Sequence, residues 1–292
     1  MPEFIPGGQM PSPPVLSVVI PAFNEADCIH GTLLSLRDYL ETVGVPWEII
    51  VSDDGSEDTT AVIARGEVAA KPGRVHLVQS TRNMGKGFAV RAGVRAARGE
   101  YVLFTDADLS TPPDQIGSAL DLLRGGSDLV IGVRRHRGDG PPVSQPASRR
   151  IFGGIFNLFV RGIGLTNVLD TQCGFKGFTR RAADLIFERQ LASGFAFDVE
   201  ILLIARRLGL STVQLPIPWT HHATSTVRPV RDALRMLREL TVIKANDLRR
   251  RYGAASGRRV TAGSAPSGRR ASGPLQAPEA PPEAQTGPRP TE

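Results

Sequence analysis

Residues 100–114 read EYVLFTDADLSTPPD. An apolar run, YVLF, gives way at Thr105 to two aspartates one residue apart, Asp106 and Asp108, and then to Thr111-Pro112-Pro113. Apolar residues in unbroken succession predict a strand covered on both faces, the habit of parallel sheets. Two carboxylates so spaced at a strand end can face one hard divalent cation, Mg²⁺ or Mn²⁺. An isolated Asp-x-Asp is more often an acidic solvated turn. The buried strand before this one and the proline turn after it favour a metal site.

Four further apolar runs share the pattern: VLSVVI (15–20), WEIIVS (47–52), VHLVQS (75–80) and DLVIGV (128–133). Helical spacing lies between them. Ile29, Leu33, Leu36 and Leu40 make one apolar stripe, and Ile116, Leu120 and Leu123 another. Between Lys86 and Ala97, the small residues Ala89, Gly93 and Ala96 would let a helix lie close on the sheet. Strands alternating with helices at this pitch predict a doubly wound α/β fold. In such folds ligands bind beyond the carboxyl ends of the strands, at the switch in strand order. Polar clusters follow four of the runs: PAFNEAD (21–27), DDGSED (53–58), TRNMGKG (81–87) and DADLSTPPD (106–114). Their convergence on one sheet edge is the strongest physical argument for a site.

The 292 residues, 41% of them hydrophobic, suffice for a real core. Residues 1–14 are Pro- and Gly-rich without the layout of a signal peptide, and from residue 253 the chain is poor in large apolar residues. Both ends are expected to be disordered, leaving one folded domain, 15–252. Cys28 and Cys173 lack metal or redox spacing and suit reduced core thiols of a cytosolic protein. The net charge of +6 admits a nucleic acid, an anionic membrane surface or an anionic substrate. The aromatic-interleaved basic stripe of a nucleic-acid binder is missing, so no nucleic-acid partner is expected. No apolar run reaches the roughly 18–20 residues that span a bilayer, and the chain is not expected to cross a membrane by itself.

Other motifs leave alternatives open. Asp53 is the better candidate for a base or ribose ligand, with Ser56 or Asp58 capping the next helix. Asn83, Gly85, Lys86 and Gly87 form either a structural loop or a turn whose lysine reaches phosphate at a helix start. Neither a Walker loop nor a GxGxxG after the first strand is present, against a dinucleotide dehydrogenase. Arg134, Arg135, Arg137, Arg149 and Arg150 are either phosphate ligands or a solvated face. His221 and His222 have no third ligand at zinc spacing. Asp198 and Glu200 in FDVEIL (197–202) are a cap, site-shaping groups or a base.

In order, PAFNEAD, DDGSED, RNMGKG and TDADLSTP resemble the family 2 glycosyltransferases of GT-A fold. DTQCGFKGF (170–178), FDVEIL and PIPW (216–219) look like the polyprenyl-phosphate branch, most of all its dolichyl-phosphate β-glucosyltransferases, with the mannose synthases as near relatives. The resemblance runs from Leu16 to Lys244. It implies a Rossmann-like doubly wound mixed sheet and an inverting hexosyltransferase. UDP-glucose is the favoured donor, with GDP-mannose in the sister group, and a polyprenyl or dolichyl phosphate is the acceptor. The product would be a lipid-linked sugar donor for glycosylation. Carried over to this chain, Pro21, Phe23 and Glu25 frame the base, Val51 and Asp53 contact base and ribose, and Thr105, Asp106, Ala107 and Asp108 take the diphosphate and metal. Arg134 matches a phosphate-binding arginine, Arg149 one on the acceptor side, and His222 and Arg228 basic residues that hold phosphates. Ser110 departs from the mannose synthases' metal-binding glutamine, which leaves water to complete the shell. The membrane anchors of the branch are likewise not found.

A phosphate monoester, with a second pKa near 6, is largely dianionic at pH 7. It can attack the sugar C1 in line without a general base, so Glu200 need not be one. A hydroxyl acceptor would need a base, making Asp198 or Glu200 essential; a non-catalytic nucleotide-sugar module is the remaining rival. A long isoprenoid stays in the bilayer, so the enzyme is expected as a peripheral visitor to the cytoplasmic membrane face. RRIFGGIFNLFVRGIGL (149–165) would serve as an interfacial helix or a buried one, and a second helix of about residues 230–251 would add basic charge.

Overall fold

The computed structural model describes residues 2–5, 12–136, 162, 164–219 and 229–253. They lie in one compact unit, Met1–Ala254. In chain order the strands are β1 (Glu3–Ile5), β2 (Leu16–Ala22), β3 (Trp47–Asp53), β4 (Val75–Gln79), β5 (Tyr101–Phe104), β6 (Leu129–His136), β7 (Lys176–Thr179) and β8 (Thr212–Trp219). The helices are α1 (Ile29–Leu40), α2 (Thr60–Ala70), α3 (Lys86–Ala96), α4 (Gln115–Arg124), α5 (Arg180–Arg189), α6 (Phe197–Arg207) and α7 (Pro229–Leu248).

All eight strands form one sheet in the order β1-β4-β3-β2-β5-β7-β6-β8. β4, β3, β2 and β5 run parallel, β7 is antiparallel to β5 and β6, and β1 is antiparallel to β4. The sheet is therefore mixed. From β2 the chain first builds outward through β3 and β4, then crosses back to lay β5 on the other side of β2. That reversal is the switch point, and PAFNEAD and TDAD stand at its carboxyl edge.

The unbroken apolarity of the strands has its cause in two cores. Val19 and Ile50 face one, with α3, α5 and α6, while Val18, Ile20, Ile49 and Val51 face the other, with α1 and α4. The two stripes are buried as expected: Ile29, Leu33, Leu36 and Leu40 on α1, and Ile116, Leu120 and Leu123 on α4. A side chain at Gly93 would collide with Val19, so α3 does lie close on the sheet. Ser52 Oγ donates to Ala89 O at 2.7 Å across the same contact.

One expectation is corrected. Residues 1–14 are not wholly without structure, because Glu3–Ile5 pair with Val78 and its neighbours on β4. Three residues are too few to show a period in sequence, but β4 offers them an open edge. The tail from residue 254 lies outside the described residues. Among these residues no helix is long and apolar enough to cross a membrane.

Candidate active site

The loops that leave β2, β3, β4 and β5 are tied to one another. Asn24 N donates to Ser56 Oγ at 2.9 Å, and Glu57 N donates back to Asn24 Oδ1 at 2.8 Å. Asp58 accepts from Ala26 N at 3.1 Å and from Thr60 N at 2.9 Å, so it joins the first loop to the start of α2. Thr32 donates its hydroxyl to Ala107 O, tying α1 to the Asp-Ala-Asp turn. Asp54, buried, accepts from Met84 N at 2.9 Å and Gly85 N at 2.7 Å. It fixes the turn that presents Lys86. At Gly85 φ is +107°, and a side chain there would strike Ser193 O. The glycine is required both for the turn and for the contact.

The two aspartates at the β5 end are held by different groups. Lys86 Nζ lies 2.6 Å from Asp106 Oδ1. Burial works against the Lys86 ammonium, but Asp106 first, then Asp198 and Asp108, hold its pKa above the ordinary value. Asp108 accepts from Ser110 N at 2.9 Å and Ser110 Oγ at 2.8 Å. Ser110, at the glutamine position of the mannose synthases, therefore orients the carboxylate. Behind Asp106 stands Gly174, where any side chain would enter the Asp106 carboxylate. The register explains this: Phe104 pairs with Lys176 across β5 and β7, and two residues further on Asp106 comes opposite Gly174.

On the β3 side, Asp53 ends the strand beside Ala22 and Gln79 and is almost fully enclosed. Its carboxylate receives Ser56 N at 3.3 Å. Thr105 and Ala107 are also buried, Phe23 is exposed, and Pro21 pairs with Ser52 on β3. Glu25 receives the Cys28 thiol at 3.2 Å. Burial, opposed by that thiol and reinforced by Asp108 and Asp106, raises its pKa. Val51 differs from the rest: its side chain is wholly inside the core, behind the edge rather than on it. A cavity of about 500 Å³ opens alongside, lined by Gly55, Ser56, Glu57 and residues 79–83.

On the other flank, Arg134 makes a paired contact with Asp170, Nε to Oδ2 at 2.6 Å and Nη2 to Oδ1 at 2.8 Å. Burial would raise the Asp170 carboxyl, but Arg134 outweighs it and holds the pKa low. Asp198, at the start of α6, takes Lys176 Nζ on Oδ1 at 2.5 Å. Glu200 is fully buried, accepting Tyr252 OH at 2.6 Å, Ala192 N at 2.7 Å and Leu191 N at 3.0 Å. Both carboxylates are committed to the protein's own groups. Arg149, His222 and Arg228 lie outside the described residues, as do Arg137, Arg150, His221 and most of 149–165. Gly174, Asp54, Asp170 and Lys176 are the participants that spacing and periodicity did not single out. A lone glycine or lysine beside an unrecognised short strand carries no periodic signal.

The donor set fits a hard cation. Asp106 and Asp108 present carboxylate oxygens at one strand end, and among the described residues no third His, Cys, Asp or Glu stands with them. If a cation were bound, Asp106 and Asp108 would hold it and leave room for further oxygen donors.

This edge, with a paired-aspartate turn at the switch point of a mixed sheet, has the layout of a nucleotide-sugar transferase of GT-A type. The chain belongs to glycosyltransferase family 2, whose family description, "Glycosyl transferase family 2", matches residues 17–187. It is similar to the dolichyl-phosphate beta-glucosyltransferase of Dictyostelium discoideum, at 32% identity over 242 residues covering 78% of this chain and 73% of that one. The Drosophila melanogaster protein of the same name is 35% identical, covering 78% and 74%. Among solved structures, glucosyl-3-phosphoglycerate synthase from Mycobacterium tuberculosis, with phosphoglyceric acid, superposes with a TM-score of 0.58 at 25% identity over 84% of this chain and 82% of that one. The same enzyme with Mn²⁺, UDP and glucosyl-3-phosphoglycerate gives a TM-score of 0.55 at 25% identity over the same shares. Structural neighbours thus bind a divalent cation together with UDP.

Proposed function

We propose that the chain transfers glucose from UDP-glucose to the phosphate of a polyprenyl or dolichyl lipid, with inversion at the sugar C1. The observation that carries this reading is the commitment of Asp198 and Glu200 to Lys176 and to Tyr252 with Leu191 and Ala192. A hydroxyl acceptor would need one of them free as a base, whereas a phosphate dianion needs none. The names of the relatives point to the same donor sugar and acceptor.

Asp106 and Asp108 hold the cation, Mg²⁺ or Mn²⁺, which when bound neutralises charge on the departing diphosphate. Lys86 orients Asp106 and adds positive charge beside the diphosphate. Asp53 contacts the ribose or base, with Pro21, Phe23 and Glu25 framing it; the enclosed Val51 supports this wall through its backbone. Arg134, steered by Asp170, lies on the phosphate side, and Arg149, His222 and Arg228 complete the acceptor clamp. Holding two anions in line against their repulsion is the main catalytic work.

The catalytic domain in this reading spans 15–252, and the enzyme works as a peripheral protein at the cytoplasmic face of the membrane. Exposed Leu191 and Phe195 on the segment before α6, and Arg235 and Arg238 on α7, support contact with lipid and its anionic headgroups. Assaying UDP-glucose, GDP-mannose and UDP-GlcNAc against a polyprenyl phosphate tests the donor. UDP-glucose should give the highest kcat/KM, and preference for GDP-mannose would make the chain a mannose transferase.

A further inference from the structure

Four charged side chains of alternating sign gather behind the Asp-Ala-Asp turn. Asp106 meets Lys86 at 2.6 Å, and Asp198 meets Lys176 at 2.5 Å. Asp198 also interacts electrostatically with Lys86. Lys176 is completely buried and Asp198 nearly so. Burying a lysine is costly unless its donors are taken. Here they serve a second purpose, since Lys176 Nζ also donates to Cys173 O at 2.6 Å. Cys173 immediately precedes Gly174, where an added Cβ would overlap the Asp106 carboxylate. The Lys176 ammonium sits 5.5 Å over the Phe104 ring, two residues before Asp106. The pair thus touches both sides of the wall on which Asp106 rests.

We propose that the Lys176–Asp198 pair is a positioning device for the metal-binding aspartate. Lys176, anchored by Asp198, holds the Cys173–Gly174 turn against Asp106 and fixes the direction of its carboxylate. The inference rests on the reading of Asp106 as a cation ligand. Lys176 is wholly buried and Asp198 nearly so, and the effect should appear in coupling between cation and nucleotide. Losing such outer support typically costs about 10- to 100-fold in metal affinity.

The test compares the parent, Lys176→Met and the double variant Lys176→Met/Asp198→Leu. Lys176→Met alone leaves an unpaired buried carboxylate and can unfold the chain. The double variant removes both charges, a replacement often neutral for stability. UDP is titrated calorimetrically with and without Mn²⁺, and thermal melting is recorded in parallel. The expected result is a double variant that melts as a folded protein and binds UDP alone like the parent. The affinity Mn²⁺ adds to UDP should fall by about 10-fold or more. A double variant that keeps the parent's full Mn²⁺ gain, or one that loses UDP binding equally with and without Mn²⁺, overturns the inference. A parent with no Mn²⁺ gain at all overturns the cation site itself, and the inference with it.

Discussion

In the proposed site the groups that set the positions of the Asp106 and Asp108 carboxylates are a lysine, a serine and a glycine. Replacing either aspartate by asparagine keeps the shape but removes the charge. Turnover should fall about 10²- to 10³-fold, by analogy with other lost electrostatic stabilisers. Steady-state rates at saturating donor check this, and chelation by EDTA should abolish the parent's activity. Gly174→Ala should be nearly as damaging, because its methyl group would occupy the space of the Asp106 carboxylate. Its turnover should drop at least about 10-fold while thermal melting still reports a folded protein. The aspartates were legible in sequence because they follow a buried strand, and Asp53 for the same reason. Gly174 was not, since its role depends on pairing between β5 and the short, glycine-containing β7, which has no apolar run to announce it. Val51 was expected at the base; its side chain is wholly buried in the core, and Asp53, two residues on along the same strand face, brings its enclosed carboxylate to the strand end.

Among the elements, α6 and β3 show how buried carboxylates divide between site and scaffold. Glu200 on α6 binds the 191–192 backbone and Tyr252, and burial pushes its pKa up despite those hydrogen bonds. Glutamine keeps an acceptor for the two amides and a polar group facing the Tyr252 hydroxyl. Glu200→Gln should therefore retain most turnover, and Glu200→Ala should lower stability by about 1–3 kcal/mol in denaturant titrations. At the far end of the sheet, Glu48 at the start of β3 accepts from Ser17 Oγ at 2.6 Å and from Arg98 N at 2.7 Å and Nη2 at 2.8 Å. Burial alone would raise its pKa, but hydrogen bonds from His76, Ser17 and Arg98 lower it from 4.5 to about 2. A carboxylate with a depressed folded-state pKa stabilises the fold above its unfolded value. That stability, on the order of 3 kcal/mol, should be lost as pH falls from about 4.5 toward 2. Chemical denaturation across that range, with Glu48→Gln showing a flatter profile, checks it. Neither role was written in the sequence: Glu48 stands in a strand otherwise read as apolar, and its partners come from β2, β4 and the end of α3. Strands β2 to β6 and the striped helices α1 and α4 were legible, because each carries enough apolar residues to mark it. α2, rich in alanine, and β8, whose Pro216 and Pro218 are tolerated only at a sheet edge, carry no such mark.

For the whole molecule, the sheet topology places donor groups on one side of the switch point and the Arg134–Asp170 pair on the other, with a carboxylate pair between them. In the proposed reaction a lipid phosphate would come to that gap while its isoprenoid stays in the bilayer, since each buried CH₂ contributes about 0.8 kcal/mol. Flotation with anionic vesicles should therefore carry the protein at low salt and release it as salt rises; a protein that stays in the soluble fraction at low salt would need a membrane partner. In the proposed reaction the acceptor's phosphate is itself the nucleophile. The most direct measurement incubates the parent with UDP-glucose, Mn²⁺ and either a polyprenyl phosphate or the matching free polyprenol, then determines the lipid product and its anomeric configuration by NMR. β-Glucosyl phosphate lipid, with equimolar UDP, is expected from the phosphate alone. Glucosylation of the free alcohol, or an α-linked product, would contradict it.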